Sequence, residues 1–139
     1  MKTTYSRYHG FTLIELAITL AIVIIITVSA IALYSSQVRK GRRMDAINAL
    51  LSMSLAEEQY RAVNTQYGTL AQVWNGVTTS SEGYYTLAIS NVTATSYTIT
   101  ATAVGDQATD SSSGTSCTPL QLSASNGTVT KTPAACWPI

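Results

Sequence analysis

Apolar and polar positions divide the 139-residue chain into four stretches. Residues 1–10 are polar and carry Lys2 and Arg7. From Phe11 to Tyr34 run 24 residues without Gly, Pro, Lys or Arg. As a helix, at about 1.5 Å per residue, this run measures about 36 Å, enough to span a bilayer. A cleaved secretory signal competes with that reading, but its apolar core is normally about 7 to 15 residues and ends at a small-residue cleavage site. Over 35–67 the pattern stays helical: Met44, Ile47, Leu51 and Leu55 line one face, while Arg43, Asp45, Asn48, Ser52 and Glu57 fall elsewhere. Gly41 weakens this helix by about 1 kcal/mol relative to Ala. Gly68, after Tyr67, is the predicted stop, where a left-handed residue caps the last turn.

From residue 68 the period changes to two. "YYTLAIS" (84–90) places Tyr85, Leu87 and Ile89 on one face, and "SYTITATAV" (96–104) places Tyr97, Ile99, Ala101 and Ala103 on another. "LQLSASNGTVTK" (120–131) predicts a hairpin turning at Asn126-Gly127, a dipeptide that tolerates positive φ. "GDQATDSSSGTS" (105–116) is polar and aperiodic, and predicts a loop. The class is therefore α+β: a long N-terminal helix whose second half packs on a small antiparallel sheet, three to four strands within 68–139.

Two cysteines, Cys117 and Cys136, bracket that last hairpin. In a small domain behind a membrane segment they favour a disulfide formed in an oxidising compartment; two buried free thiols in a cytosolic domain are the alternative, and a zinc site would want four ligands. Closing such a loop stabilises by about 3 kcal/mol in the chain-entropy model. Eight Lys/Arg against seven Asp/Glu leave almost no net charge, but the cations cluster. Arg39, Lys40, Arg42 and Arg43 follow the apolar run, and the positive-inside rule alone would put the C-terminal part in the cytoplasm. The cysteine pair points to the opposite side. That orientation requires the basic cluster to be answered by carboxylates such as Asp45, Glu57 and Glu58 of the same or neighbouring chains.

No catalytic constellation is present. Glu57 and Glu58 are adjacent and point apart on a helix, Asp106 and Asp110 sit in the polar loop, and His9 is the one histidine. No enzyme activity, metal or cofactor is expected. Asn91-Val92-Thr93 and Asn126-Gly127-Thr128 match the glycosylation sequon, a pattern short enough to arise by chance. From Gly68 onward the charged residues are Glu82, Asp106, Asp110 and Lys131, a net of minus two and a poor match to phosphate. Glu15 stands out: a carboxylate in hydrocarbon costs roughly 2.5 to 3.5 kcal/mol and needs a partner, unless it snorkels to the headgroups.

"GFTLIEL" (Gly10 to Leu16), the short basic leader, the long apolar helix and the C-terminal cysteine pair resemble type IV pilins and the related pseudopilins of type II secretion. "ALLSMSLAEEQYRAVNTQYGTL" (49–70), "YTITATAVGDQATD" and "KTPAACW" are similar to small type IVa pilins grouped as minor, DNA-uptake-associated members included. The resemblance implies a leader, 1–10, removed by a prepilin peptidase after Gly10, and N-methylation of the new terminus, Phe11. It implies a transmembrane and filament-core helix over 11–34, an amphipathic continuation over 35–67, and a head over 68–139 with the Cys117–Cys136 disulfide. It gives Glu15 a partner, the terminal amine of a neighbouring subunit. Its further partners would be other pilin subunits, membrane lipid before assembly, and an inner-membrane assembly platform. The protein would be a single-pass inner-membrane protein with a periplasmic C-terminus, later extracellular in the pilus. A pseudopilin and a DNA-binding minor pilin for natural transformation are the alternatives. Many relatives carry Gly and Pro within the apolar helix where Ile24 and Ala32 stand here, so this helix is expected to be more continuous.

Overall fold

The computed structural model describes residues 10–137, leaving aside the side chains of residues 29–33. The chain divides into two compact units, Met1–Ser36 and Gln37–Ile139. One helix, α1 (Leu13–Arg61), supplies residues to both. In the first unit it starts from Thr12, whose hydroxyl accepts the Glu15 N–H at 3.3 Å, as a capping residue does. Thr19 and Thr27 donate their hydroxyls to the Leu16 and Val23 carbonyls, so these two polar groups of the apolar stretch are met within the helix. Its large apolar side chains from Leu13 to Val28 are exposed in the single chain. Among the described residues no helix is long and apolar enough to cross a membrane. The expected 24-residue span includes residues 29–33, whose side chains lie outside the described set, and so do residues 1–9 of the expected leader, 1–10.

The second unit packs α1 on a four-stranded antiparallel sheet. β1 (Tyr85–Ser90), β2 (Ser96–Ala103), β5 (Leu120–Ser125) and β6 (Thr128–Thr132) stand in the order β1-β2-β5-β6. Leu87 lies opposite Ala101, Ile89 opposite Ile99, and Ile99 opposite Leu122. Tyr85, Leu87, Tyr97, Ile99, Leu120 and Leu122 thus share one face and form the core with Ala46, Ile47, Leu50 and Met53 of α1. The opposite face is largely Thr and Ser, the alternation of a half-solvated antiparallel sheet. β5 and β6 turn at Asn126-Gly127, both with positive φ, 50° and 79°. The Cys117–Cys136 disulfide clasps the ends of this hairpin with 5.6 Å between the Cα atoms.

Three expectations require correction. The buried stripe of α1 is Arg43, Ala46, Ile47, Leu50, Met53 and Glu57, whereas Met44, Leu51 and Leu55 are 43%, 43% and 61% exposed. Two ionisable residues on the core side disguised the stripe. The helix ends at Arg61 and not at Gly68: Asn64 donates Nδ2–H to the Tyr60 carbonyl, Arg61 Nη1 donates to the Asn64 carbonyl, and these bonds curl the chain away. Gly68 serves close packing, since a Cβ there would lie 2.5 Å from Val73 Cγ1 of the short helix α2 (Leu70–Val73). Nor is 105–116 a plain loop. It holds a 3-10 turn (Gly105–Thr109) and a small hairpin of β3 (Ser111–Ser112) and β4 (Thr115–Ser116), and buries Gln107 and Asp110.

Candidate functional site

Gly10 and Phe11 lie exposed before the first turn of α1, and Glu15 lies exposed within that turn. An acidic residue there is favoured by the helix dipole, and Thr12-Leu13-Ile14-Glu15 has the spacing of a capping box. Helix initiation and the carboxylate expected to meet a neighbour's amine thus fall on one residue. Sequence reasoning overlooked the Thr12 cap, although its T-x-x-E spacing was the signal. Cys117 and Cys136 are joined as expected.

The basic cluster is arranged differently from expectation. Arg43 is buried and grips Asp110 with two parallel bonds, Nε to Oδ2 at 2.7 Å and Nη2 to Oδ1 at 2.8 Å. It also donates to the Ser111 and Cys136 carbonyls, at 3.3 and 3.4 Å. The bond to Asp110, outweighing the opposing effect of burial, raises the guanidinium pKa, so this charge is fixed. Beside it Gln107 Nε2 donates to the Arg39 carbonyl and to Tyr85 Oη, both at 2.9 Å. Within the chain, Asp45, Glu57 and Glu58 do not pair with the arginines among the described residues. Asp45 accepts the Glu82 N–H, Glu57 the Gly68 N–H, and Glu58 the Tyr67 hydroxyl. No pattern in the sequence marks Asp110 as the partner of a residue 67 positions away.

With Arg43 neutralised, the other cations decide what the head can bind. Arg42 stacks on Tyr84, 4.5 Å from ring centre, and Lys131 lies 5.2 Å above the centre of the Trp137 ring. Stacking holds a flexible cation in place while leaving its donors free. Lys40 and Trp137 line one cleft of about 330 Å³, together with Met44, Ile47 and Ser112. Trp137 is itself anchored by its Nε1–H, which donates to the Thr132 carbonyl at 3.3 Å. The arrangement places positive charge beside a largely buried indole, which suits a polyanion. Among the described residues no group of three or more His, Cys, Asp or Glu could hold a metal ion.

The family model described as type IV minor pilin ComP, DNA uptake sequence receptor, matches residues 32–121. The prokaryotic N-terminal methylation motif matches residues 5–31. Comparison with curated proteins finds no match. The first match takes in the buried face of α1, β1, β2, the Arg43–Asp110 pair and Cys117, and the second takes in Gly10, Phe11 and Glu15. With a methylation-type N-terminus joined to a helix-on-sheet head closed by a C-terminal disulfide, and with the family matched over more than half of its length, the chain belongs to the ComP family of type IV minor pilins and is a structural subunit of a type IV pilus.

Proposed function

We propose that this subunit serves as a DNA receptor on the pilus that carries it. The observation behind this reading is the match over residues 32–121 to a family described as a DNA uptake sequence receptor. The stacked cations give the reading a chemical basis. Sequence reasoning weighed the head's net charge of minus two against DNA, yet Asp110 is spent on Arg43 inside the fold and presents no charge to a ligand. Lys40 and Lys131, both exposed and both beside Trp137, can reach phosphate while the duplex lies across the cleft. Each phosphate contact contributes about 0.9 to the slope of log affinity against log salt. Gel-shift titrations of the full chain in detergent should therefore show a salt-dependent complex. Lys131→Gln and Lys40→Gln should each lower that slope by about one. Retarded complexes with unaltered slopes in both variants would exclude this cleft.

Assembly is the other half of the function. In this reading the prepilin peptidase cuts between Gly10 and Phe11, and Phe11 is N-methylated. The 11–34 helix then holds the subunit in the inner membrane, head in the periplasm, until an assembly platform extracts it into the filament. Within the apolar filament core Glu15 meets the terminal amine of a neighbour. Both groups are desolvated there, so the pair sets register more than it adds net stability. Packing of the apolar helices holds the fibre, and no catalytic turnover is involved. The mature chain should begin at N-methylated Phe11 by mass spectrometry, and Glu15→Ala should insert in the membrane yet be missing from sheared pili. Wild-type amounts of that variant in the pili would remove Glu15 from assembly.

A further inference from the structure

A second cleft, of about 400 Å³, opens between α1 residues Met44, Asp45, Asn48 and Ser52 and the segment 74–82. Its lining carries two carboxylates, Asp45 and Glu82, and no Lys or Arg. Asp45 Oδ1 accepts the Glu82 N–H at 3.2 Å, while Oδ2 is shut away from water and accepts no hydrogen bond among the described residues. A carboxylate with one oxygen enclosed and unpartnered gains from a positive charge brought alongside it. Trp74 forms another wall, and an indole face attracts a cation more strongly than any other side-chain ring. Gly41 also lines the cleft, and a Cβ added there would meet nothing within 4 Å, so the space beside it is open.

A pilus subunit has pilin neighbours, and this chain shows what such a neighbour can offer. Arg39 stands shortly beyond the apolar run and takes part in no ion pair among the described residues. We propose that the Asp45–Glu82–Trp74 cleft is a socket for a lysine ammonium or arginine guanidinium group presented by the neighbouring pilin subunit. The cation sits between the two carboxylates with its stem along Trp74. The socket rests on membership of the filament and is independent of the DNA reading.

Carbodiimide cross-linking of intact pili containing the full chain tests it. The reagent joins a carboxylate to an adjacent amine, so mass spectrometry should recover Asp45 or Glu82 bonded to a lysine of another subunit. The bond should be absent with Asp45→Asn/Glu82→Gln. Charge reversal, Asp45→Lys/Glu82→Lys, should lower incorporation into pili at least tenfold. That loss without a lysine cross-link supports the guanidinium form. Should circular dichroism show the reversed variant unfolded, the neutral pair decides: a threefold or greater loss of incorporation supports the socket, and wild-type incorporation overturns it. A folded reversed variant incorporated at wild-type level overturns it equally. Failure of the wild-type chain to enter pili would instead refute filament membership itself, and the socket with it.

Discussion

Glu57 shows how one side chain misleads a reading by pattern and then governs behaviour in the fold. It is 0% exposed, beside Met53 on the core side of α1, and one of its oxygens takes the Gly68 N–H at 2.8 Å while the other has no partner among the described residues. Burial pushes its pKa above the ordinary 4.5, the Gly68 N–H opposes that shift, and the neighbouring Glu58 reinforces it. Because the folded state holds this proton more tightly than the unfolded chain, its contribution to stability is fully present below pH 4.5 and is lost as pH rises through the raised value. The stability difference between wild type and Glu57→Gln should therefore shift in favour of the glutamine as pH rises from 4 to 8. Urea midpoints across that range measure it, and a flat difference would show that Glu57 titrates normally. Tyr97, packed edge-on to Tyr67 and hydrogen-bonded to Ser54, is pushed up to about 12 chiefly by burial and stays neutral throughout.

At the scale of elements, helix α1 presents two faces that a hydrophobicity plot confuses. The face toward the sheet carries Leu50, while adjacent Leu51 belongs with Met44 and Leu55 on the exposed side. Leu50→Ala should cost about 2 to 5 kcal/mol through lost burial and the cavity left behind. Leu51→Ala should stay within about 0.5 kcal/mol in the detergent-solubilised monomer. Chemical denaturation of the pair checks the orientation of the helix directly. The strands were more legible, because period-two alternation over 84–90, 96–104 and 120–131 has one solution when a single face is buried, and Asn126-Gly127 selects the turn. The segment 105–116 was illegible because short polar residues leave no periodic trace, even where Gln107 and Asp110 end up in the core.

For the head as a whole, the Arg43–Asp110 pair does what the disulfide does by covalent means. It ties α1 to the β2–β5 connection and, through the Cys136 carbonyl, to the chain end. Removing the carboxylate leaves a buried guanidinium without its counter-ion, so Asp110→Ala should destabilise the head by about 3 to 5 kcal/mol even with the disulfide intact. A thermal melt unchanged from wild type would show the pair to be dispensable. The same pairing alters function, since it withdraws one cation and one anion from the surface and leaves Lys40, Arg42 and Lys131 to meet a ligand.

Local and periodic properties were determined by the amino-acid order alone: the apolar run with Glu15 near its start, the Gly10-Phe11 junction, the alternating strands, the Asn-Gly turn and a cysteine pair placed to clasp a hairpin. Each is written in neighbouring residues, or in spacings that one element spans. Tertiary structure decided which flank of α1 meets the sheet, which acid answers Arg43, that the polar 105–116 stretch lies partly within the core, and that Lys131 rests on Trp137. These depend on contacts between residues far apart in the chain. There the free energy of burying a charge is balanced by a partner that folding alone brings within reach.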